Sequence, residues 1–176
     1  MIRCILFDRD GTLGELVDKR YPQSLVPYDN VKEVFTALKE KGYTVGVITN
    51  QSSIARGTAN DYDFDKEFAD FGADIWEICP HDTKDCCNCR KPKSGLLLNV
   101  CKRLNIRPEE CIIIGDRLTD VQCGKNVGAA AALVLTGNGQ DNKEETLALY
   151  PDIPVFESFE EIVKYVNNLI PFPLSS

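Results

Sequence analysis

Two carboxylates lie two residues apart near the start of the chain. Asp8 and Asp10 belong to the segment DRDGTL at positions 8–13, in which the glycine permits a sharp turn. Two acids at this spacing can bind one divalent cation, and they can divide the roles of nucleophile and proton donor between them. A simple turn or a calcium-binding loop would show the same pattern, so these residues alone leave three interpretations open.

Three other polar segments contain residues that phosphoryl chemistry needs. The segment TNQ at positions 49–51 supplies a hydroxyl and amide donors that can hold phosphoryl oxygens, although an Asn-rich turn has the same composition. Asp116 and Asp120, in the segment GDRLTD, add carboxylate ligands for a hard cation such as Mg²⁺. The segment RKPK at positions 90–93 supplies cations that can neutralise transition-state charge, although a basic run is often only a solvated surface.

Four cysteines and the one histidine of the chain lie between positions 79 and 89. They form a CxH pattern at Cys79 and His81, followed by a CxC pattern that ends at Cys89. Three thiolates and an imidazole are a sufficient tetrahedral set for structural zinc, and free or redox-active thiols are the alternative. Both Cys86 and Cys87 are candidates for one ligand, and we favour Cys87 because its spacing from Cys89 mirrors that of Cys79 from His81.

Short apolar runs precede most of these polar segments, as expected for strands buried on both faces. They predict strands at residues 3–7, 43–49, 111–114 and 131–135. Helical periodicity and caps predict helices between Asn30 and Gly42, at about 63–71, 94–104 and 118–127, and after the capping box at Ser158. This alternation favours an α/β fold with a doubly wound, Rossmann-like parallel sheet that carries helices on both faces.

The carboxyl ends of parallel strands meet at one edge of such a sheet, and ligands bind there. Asp8, Thr49 and Asp116 all lie at the ends of predicted strands, so we expect them to be close together. The predicted elements and a zinc loop at residues 79–93 fill the intervals from Asp8 to Thr49 and from Thr49 to Lys91. We therefore predict one domain over residues 1–176, with an open site and no cap domain.

The charge balance disfavours polyanionic partners. The chain has 27 acidic and 20 basic residues and a formal net charge of −7, so we expect it to bind neither nucleic acid nor an anionic membrane. No apolar run approaches the roughly 20 residues of a membrane span, and no signal peptide precedes Asp8. These features predict a cytoplasmic protein, and the lack of a surplus apolar helix face favours a monomer.

Taken in order, the motifs resemble those of the haloacid dehalogenase-like superfamily of phosphohydrolases, which run DxDGT, then Thr or Ser, then Lys, then GDxxxD. The resemblance implies that Asp8 is a nucleophile that forms an aspartyl-phosphate. It also implies that Asp10 is the general acid for the leaving group and then the base for the hydrolytic water. Thr49 and Lys91 would hold the phosphoryl oxygens, with Lys93 as the competing candidate for the lysine.

The resemblance also implies metal ligands. Mg²⁺ would be held by Asp8, Asp10 and Asp116, with Asp120 in support. The combination of DRDGT, TNQSSIARG, CPH and CxCRKP closely resembles the D-glycero-D-manno-heptose 1,7-bisphosphate phosphatases and the related histidinol-phosphate phosphatases. In that family the four zinc ligands match Cys79, His81, Cys87 and Cys89.

Five residues beside these motifs are predicted to contact the substrate. They are Asn50, Gln51, Ser52, Arg90 and Arg117. For Arg90 the family implies a substrate contact, and the alternative is an ion pair with Asp82 or Asp85. Residues 14–28, which would meet a sugar, show no clear family pattern.

The sequence therefore predicts a Mg²⁺-dependent phosphatase for a small phosphorylated metabolite, with a sugar bisphosphate such as heptose 1,7-bisphosphate as the leading substrate. The alternatives are histidinol phosphate, a 3′-phosphate at a nucleic-acid end, and a non-catalytic zinc-bearing interaction module. The negative net charge counts against nucleic acid. The full set of catalytic residue types counts against a module that only binds.

Overall fold

A computed structural model describes residues 1–59 and 61–168 of the chain. In chain order its strands are β1 (Cys4–Phe7), β2 (Gly14–Leu16), β3 (Leu25–Pro27), β4 (Thr44–Asn50), β5 (Ile75–Cys79), β6 (Cys111–Gly115), β7 (Ala130–Val134) and β8 (Val155–Phe156). Six of these strands form a parallel sheet in the order β5-β4-β1-β6-β7-β8. Strands β2 and β3 form a separate antiparallel hairpin.

The helices alternate with the strands of the main sheet. They are α1 (Val31–Glu40), α2 (Ser52–Ala55), α3 (Phe64–Phe71), α4 (Gly95–Leu104), α5 (Leu118–Lys125), α6 (Gly139–Leu149) and α7 (Phe159–Asn168). All five predicted helices are present, and the short α2 and the polar α6 are additional. The predicted doubly wound α/β fold is confirmed.

Side chains of the central strand β1 pack alternately on the two faces of the sheet. Ile5 and Phe7 join one apolar cluster. In this cluster the Phe7 ring stacks on the ring of Phe35 in α1, with 5.1 Å between the ring centroids. Leu6 joins the opposite cluster with Leu97 of α4. Because both faces are covered, every residue of β1 is buried and the strand is a continuous apolar run rather than an alternating one.

The four predicted strands are confirmed, and the structure adds four more. Strand β5 was not predicted because Glu77 interrupts its apolar pattern, and its central residues are only half buried at the edge of the sheet. Strand β8 has two residues, which is too short for a periodic signal. The β2–β3 hairpin, with three residues in each strand, lies in the segment that showed no family pattern.

The strand order reverses next to β1, which places the predicted site. The chain proceeds from β1 to β4 and β5 on one side and continues with β6, β7 and β8 on the other. The crevice at such a reversal is where doubly wound sheets bind ligands. Asp8 directly follows β1 and Asp116 directly follows β6, so the topology brings these two carboxylates to that crevice.

The segment between β1 and β4 contains the β2–β3 hairpin, a short 3₁₀ turn at Pro22–Ser24 and α1. Within the described ranges, it holds no further domain above the sheet. None of the described helices has the length and apolar character needed to cross a membrane.

Candidate active site

Three buried carboxylates converge at the carboxyl edge of the sheet. Asp8 follows β1, Asp116 follows β6, and Asp120 lies in the first turn of α5. One ligand atom from each of them lies within 4.8 Å of the others. Gly11 permits this close approach, because its φ is +84° and a Cβ atom there would lie 2.3 Å from Asp116 Oδ2.

Lys91 is the cation inside this group. Its Nζ atom donates to Asp8 Oδ1 at 2.6 Å and to the carbonyl oxygen of Ile48 at 2.9 Å, and it forms an ion pair with Asp120 Oδ1 at 2.6 Å. The competing candidate, Lys93, donates instead to two backbone carbonyls of the cysteine-rich loop. The structure therefore places Lys91 in the carboxylate group and Lys93 outside it.

The side chain of Asn50 fixes the backbone of Lys91. Asn50 Oδ1 accepts from the N–H of Lys91 at 3.0 Å, and Asn50 Nδ2 donates to its carbonyl oxygen at 3.1 Å. The end of β4 thus holds the loop that carries the lysine. Asn50 also lines the cavity over the site, and its predicted contact with the substrate stays a prediction.

The three carboxylates carry more negative charge than Lys91 neutralises. Burial and repulsion between the carboxylates raise the pKa of Asp116 to about 7 and that of Asp120 to about 6. Burial opposes the charged form of Lys91, but Asp120 and Asp8 outweigh it and raise the pKa of the ammonium. Asp116 Oδ1 is buried and has no hydrogen-bond partner. The excess negative charge and this free oxygen fit a hard divalent cation such as Mg²⁺.

The carboxylate of Asp10 is held apart from the three-carboxylate group. Its Oδ1 atom accepts from Arg9 at 2.6 Å and its Oδ2 atom accepts from Gln51 Nε2 at 3.0 Å. Burial raises the pKa of Asp10, although Arg9 and the hydrogen bond from Gln51 oppose this shift. In the structure the carboxylate of Asp120, rather than that of Asp10, groups with the other two acids, because Arg9 and Gln51 hold Asp10 elsewhere. The magnesium-ligand role that the resemblance implies for Asp10 stays a prediction.

Gln51 connects Thr49 to Asp10. Its Nε2 atom donates one hydrogen to Asp10 and the other to Thr49 Oγ1, at 2.9 Å. Gln51 is itself buried, so its side chain positions neighbours rather than facing open solvent. Since the Thr49 hydroxyl accepts this bond, its own hydrogen remains available to a phosphoryl oxygen.

A second group of candidate ligands lies at the end of β5 and in the following loop. Cys79, His81, Cys87 and Cys89 each offer an atom within 4.8 Å of the others, and Cys86 is exposed and outside the group. The three sulfurs are 3.4 to 3.6 Å apart, and His81 Nδ1 lies 3.2 Å from Cys89 Sγ. Zn–S bonds of about 2.3 Å in a tetrahedron would separate the sulfurs by about 3.8 Å, so the group has nearly the size of a zinc site.

The thiols of this group differ in proton affinity. Burial and the neighbouring Cys79 and Cys87 raise the pKa of Cys89 to about 12. At Cys87, burial is outweighed by the backbone N–H of Arg90 and by the adjacent thiols, and the pKa falls to about 7. A bound cation would favour the thiolate at each position.

Arg90 joins the cysteine-rich loop to the active-site cavity. Its NH1 atom donates to Ser52 Oγ at 2.9 Å and to the carbonyl oxygen of His81 at 3.2 Å. The alternative ion pair with Asp82 or Asp85 is not formed between these described residues. The guanidinium is therefore held beside the site by a candidate metal ligand and by α2.

A cavity of about 360 Å³ lies over this site, and Asp8, Asp10, Arg90, Lys91 and Arg117 are among its lining residues. A neighbouring cavity of about 210 Å³ shares Asp10 with it. The cationic residues that line this second cavity are Lys19, Arg20, Arg56, Arg90 and Arg117. The surroundings of the carboxylates are thus rich in positive charge.

The chain is similar to known phosphatases over nearly its whole length. It is 35% identical over 188 residues to the D-glycero-beta-D-manno-heptose-1,7-bisphosphate 7-phosphatase of Pasteurella multocida, covering 96% of this chain and 99% of that protein. The protein of the same name from Haemophilus influenzae is 34% identical over 190 residues, with coverage of 96% and 99%. The family model described as HAD-hydrolase-like matches residues 88–162.

The fold is also similar to solved structures. The crystal structure of D,D-heptose 1.7-bisphosphate phosphatase from B. bronchiseptica, complexed with magnesium and phosphate, has a TM-score of 0.81 and 28% sequence identity. That similarity covers 96% of this chain and 100% of the other. The D,D-heptose 1,7-bisphosphate phosphatase from Burkholderia thailandensis has a TM-score of 0.63 and 25% identity, over 94% and 99% of the two chains.

Proposed function

Because the chain belongs to the haloacid dehalogenase-like phosphatases, we propose that it removes the 7-phosphate of D-glycero-β-D-manno-heptose 1,7-bisphosphate. The observation that carries the proposal is the similarity, over 96% of the chain, to enzymes of that name. The site supports it with carboxylates and a buried lysine at one cavity, and with the Thr49 hydroxyl near the end of the adjacent strand β4. The resulting chemistry is hydrolysis of a phosphate monoester through a covalent intermediate.

In the first half of the reaction Asp8 attacks phosphorus. Lys91 holds Asp8 Oδ1, which leaves Oδ2 as the attacking oxygen. As the bond from phosphorus to the leaving oxygen breaks, its electron pair goes to that oxygen, which takes the proton of the Asp10 carboxyl group. Thr49 donates to a phosphoryl oxygen. Lys91, whose three N–H groups already have partners, stabilises the phosphoryl charge through its own positive charge. The products are an aspartyl-phosphate at Asp8 and the free sugar hydroxyl.

In the second half, water hydrolyses the aspartyl-phosphate. Asp10, now ionised, accepts a proton from the water, whose oxygen bonds to phosphorus while the bond to Asp8 breaks. Asp8 and Asp116 would hold the Mg²⁺ that fits this site, with Asp120 beside them in contact with Lys91. When bound, that ion would supply positive charge that lowers the repulsion between the anionic nucleophile and the phosphate.

A second phosphate on the substrate matches the charge around the cavity. Among the described residues, Lys19 and Arg117 line the cavity of about 210 Å³ without a side-chain ion pair. Arg90 also lines this cavity and is held there by Ser52. An arginine fork suits a phosphate because two N–H groups can donate to two oxygens of the same group. We therefore propose that Arg90 and Arg117 bind the phosphate that is not cleaved.

Replacement of Arg90 by alanine should weaken hydrolysis of the bisphosphate selectively. We expect kcat/KM for heptose 1,7-bisphosphate to fall by about 10-fold to 100-fold, the scale of one lost charged hydrogen bond. Hydrolysis of phenyl phosphate should change little, because it has no second phosphate. Steady-state kinetics on both substrates measure the difference, and Arg107→Ala, an exposed arginine paired with Glu110, is the matched control.

If Arg90→Ala lowered kcat/KM equally for the two substrates, Arg90 would act in the cleavage step or in the stability of its loop rather than in binding a second phosphate. That result would remove the main argument from the site for a bisphosphate. A loss in Arg107→Ala as large as that in Arg90→Ala would show that the effect is one of overall charge.

We also propose that Cys79, His81, Cys87 and Cys89 hold one zinc ion. Protein purified without chelator should contain one zinc per chain by elemental analysis, and Cys87→Ser should lose most of it and unfold at a lower temperature. The matched control is Cys86→Ser, at the exposed neighbouring cysteine, which should keep both zinc and stability. Equal zinc contents in the two variants would contradict the assignment.

A panel of phosphorylated compounds tests the proposed substrate. We expect the highest kcat/KM for the heptose bisphosphate. A higher value for histidinol phosphate or for a 3′-phosphorylated oligonucleotide would replace the proposal with one of the alternatives from the sequence. The cytoplasmic location, the monomeric state and the single domain over residues 1–176 stay predictions, and residues 169–176 lie outside the described part of the chain.

A further inference from the structure

Arg9, the residue between the two aspartates of the first motif, has a fully buried side chain. Its NH1 atom donates to Asp10 Oδ1 at 2.6 Å. Its Nε and NH2 atoms donate to the two carboxylate oxygens of Glu67, at 2.6 and 2.8 Å. One planar guanidinium therefore joins the candidate general acid to helix α3, which lies far from it in the sequence.

Further contacts hold the guanidinium in one orientation. Its NH2 atom donates to the carbonyl oxygen of Pro22 at 2.7 Å and lies 3.2 Å from the hydroxyl oxygen of Tyr62. Tyr62 in turn donates to Glu67 Oε1 at 2.5 Å. The centre of the guanidinium also lies 5.3 Å from the centroid of the Phe64 ring. The segment before α3, the helix itself and the 3₁₀ turn after β2 thus converge on Arg9.

This network constrains the Asp10 carboxylate at both oxygens. Arg9 donates to Oδ1, and Gln51 donates to Oδ2 at 3.0 Å. Neither rotation about the terminal bond nor a change of rotamer can occur without breaking one of these bonds. The bonds from Arg9 to Glu67 and Pro22 would be enough to connect α3 to the sheet. The additional bond to Asp10, which lines the cavity, is not needed for that structural role.

We propose that Arg9 is a positioning residue for proton transfer by Asp10, and that Glu67 and Tyr62 act through Arg9. The inference rests on the proposed function, in which Asp10 gives its proton to the leaving oxygen. The network fixes the direction in which the Asp10 carboxyl faces that oxygen. The rate of proton transfer is sensitive to this geometry, because a general acid accelerates the reaction only when it lies within hydrogen-bond reach of the oxygen that it protonates.

The dependence of kcat/KM on the leaving group distinguishes a role of Arg9 in proton transfer from a purely structural role. When the bond to phosphorus breaks, phenolate from phenyl phosphate is basic and needs a proton, whereas 2,4-dinitrophenolate leaves readily without one. The two substrates share the phosphate and the ring, and kcat/KM reports the step that forms the aspartyl-phosphate. Poor positioning of the acid should therefore lower kcat/KM for phenyl phosphate and leave kcat/KM for 2,4-dinitrophenyl phosphate almost unchanged.

The test uses Glu67→Gln and Tyr62→Phe, which keep Arg9. Arg9→Met is unsuitable because it would leave the partly buried Glu67 carboxylate without its cationic partner, and it is expected to destabilise the fold. For Glu67→Gln we expect kcat/KM to fall by about 10-fold on phenyl phosphate and by less than about threefold on 2,4-dinitrophenyl phosphate. Tyr62→Phe should show a smaller loss with the same pattern.

The matched control is Asp70→Asn, an exposed acid of the same helix that pairs with Lys66. It should leave both rates unchanged. Equal losses of Glu67→Gln on the two substrates, or no loss on either, would overturn the positioning role. Asp8→Asn is assayed in parallel: if it retained activity, the proposed function would fall, whereas an inactive Asp8→Asn with equal losses in Glu67→Gln would overturn only this inference.

Discussion

Replacement of Asp8 by asparagine is expected to lower kcat by about 10⁴-fold or more, the scale seen when a covalent nucleophile is lost. Asparagine keeps the shape of the side chain, but its neutral amide oxygen is a poor nucleophile. It also removes the charge that Lys91 Nζ contacts at 2.6 Å. The rate is measured with 4-nitrophenyl phosphate at saturating Mg²⁺.

The fold of the Asp8→Asn variant should persist. The change removes one of three buried carboxylates that repel one another, so the variant should unfold at the same temperature or higher. Thermal unfolding and zinc content check this, and Asp152→Asn, at an exposed acid outside the site, is the control for activity. A residual rate within about 100-fold of the unchanged protein would contradict the aspartyl-phosphate mechanism.

Replacement of Asp10 by asparagine should give the second largest loss. A general acid contributes about 10²-fold to 10⁴-fold, and we expect a loss in that range for phenyl phosphate. The asparagine amide can still accept from Arg9 through its single oxygen, whereas its NH2 group would replace the oxygen that accepts from Gln51, and it has no acidic proton for the leaving group. On 2,4-dinitrophenyl phosphate, whose leaving group needs no proton, kcat/KM should fall much less.

The two substrates are compared by kcat/KM, because Asp10 is also proposed to act as the base in the later hydrolysis step and kcat contains both contributions. Comparable losses on the good and the poor leaving group would show that Asp10 acts through binding or structure. In that case the proton would have to come from another group, and the positioning role of Arg9 would lose its basis.

The fold was predictable where a strand is buried on both faces. Strands β1, β4, β6 and β7 form the middle of the sheet, and covering helices make each of them a continuous apolar run. Strands β5 and β8 form the two edges of that sheet. An edge strand has fewer covered residues and β8 is very short, so neither has an apolar run that sequence periodicity can detect.

The site was predictable in its residue types and less so in their contacts. The ends of β1, β4 and β6 had to meet in a doubly wound sheet, which placed Asp8, Thr49 and Asp116 together. Local spacing could not decide between Lys91 and Lys93, because the two lie two residues apart and only tertiary contacts separate them. One of these contacts comes from the side chain of Asn50, which bonds to both the N–H and the carbonyl oxygen of Lys91 and so fixes the lysine beside the carboxylates.

Arg9 was missed because the first motif treats its position as a spacer. Its partner Glu67 lies 58 residues away, on a helix whose sequence showed only an amphipathic period. The one available signal was a basic residue that lies between the two aspartates of the motif and directly after a buried strand. The identity of its partners required the packing of α3 against the site.

Phosphorus NMR during hydrolysis of D-glycero-β-D-manno-heptose 1,7-bisphosphate shows which of the two phosphates the protein releases. We expect that, with Mg²⁺ present, the protein releases inorganic phosphate from carbon 7 and leaves the heptose 1-phosphate as a stable product, while Asp8→Asn releases none. Release from carbon 1, or no release by a folded, zinc-containing protein that still hydrolyses 4-nitrophenyl phosphate, would contradict the proposed function.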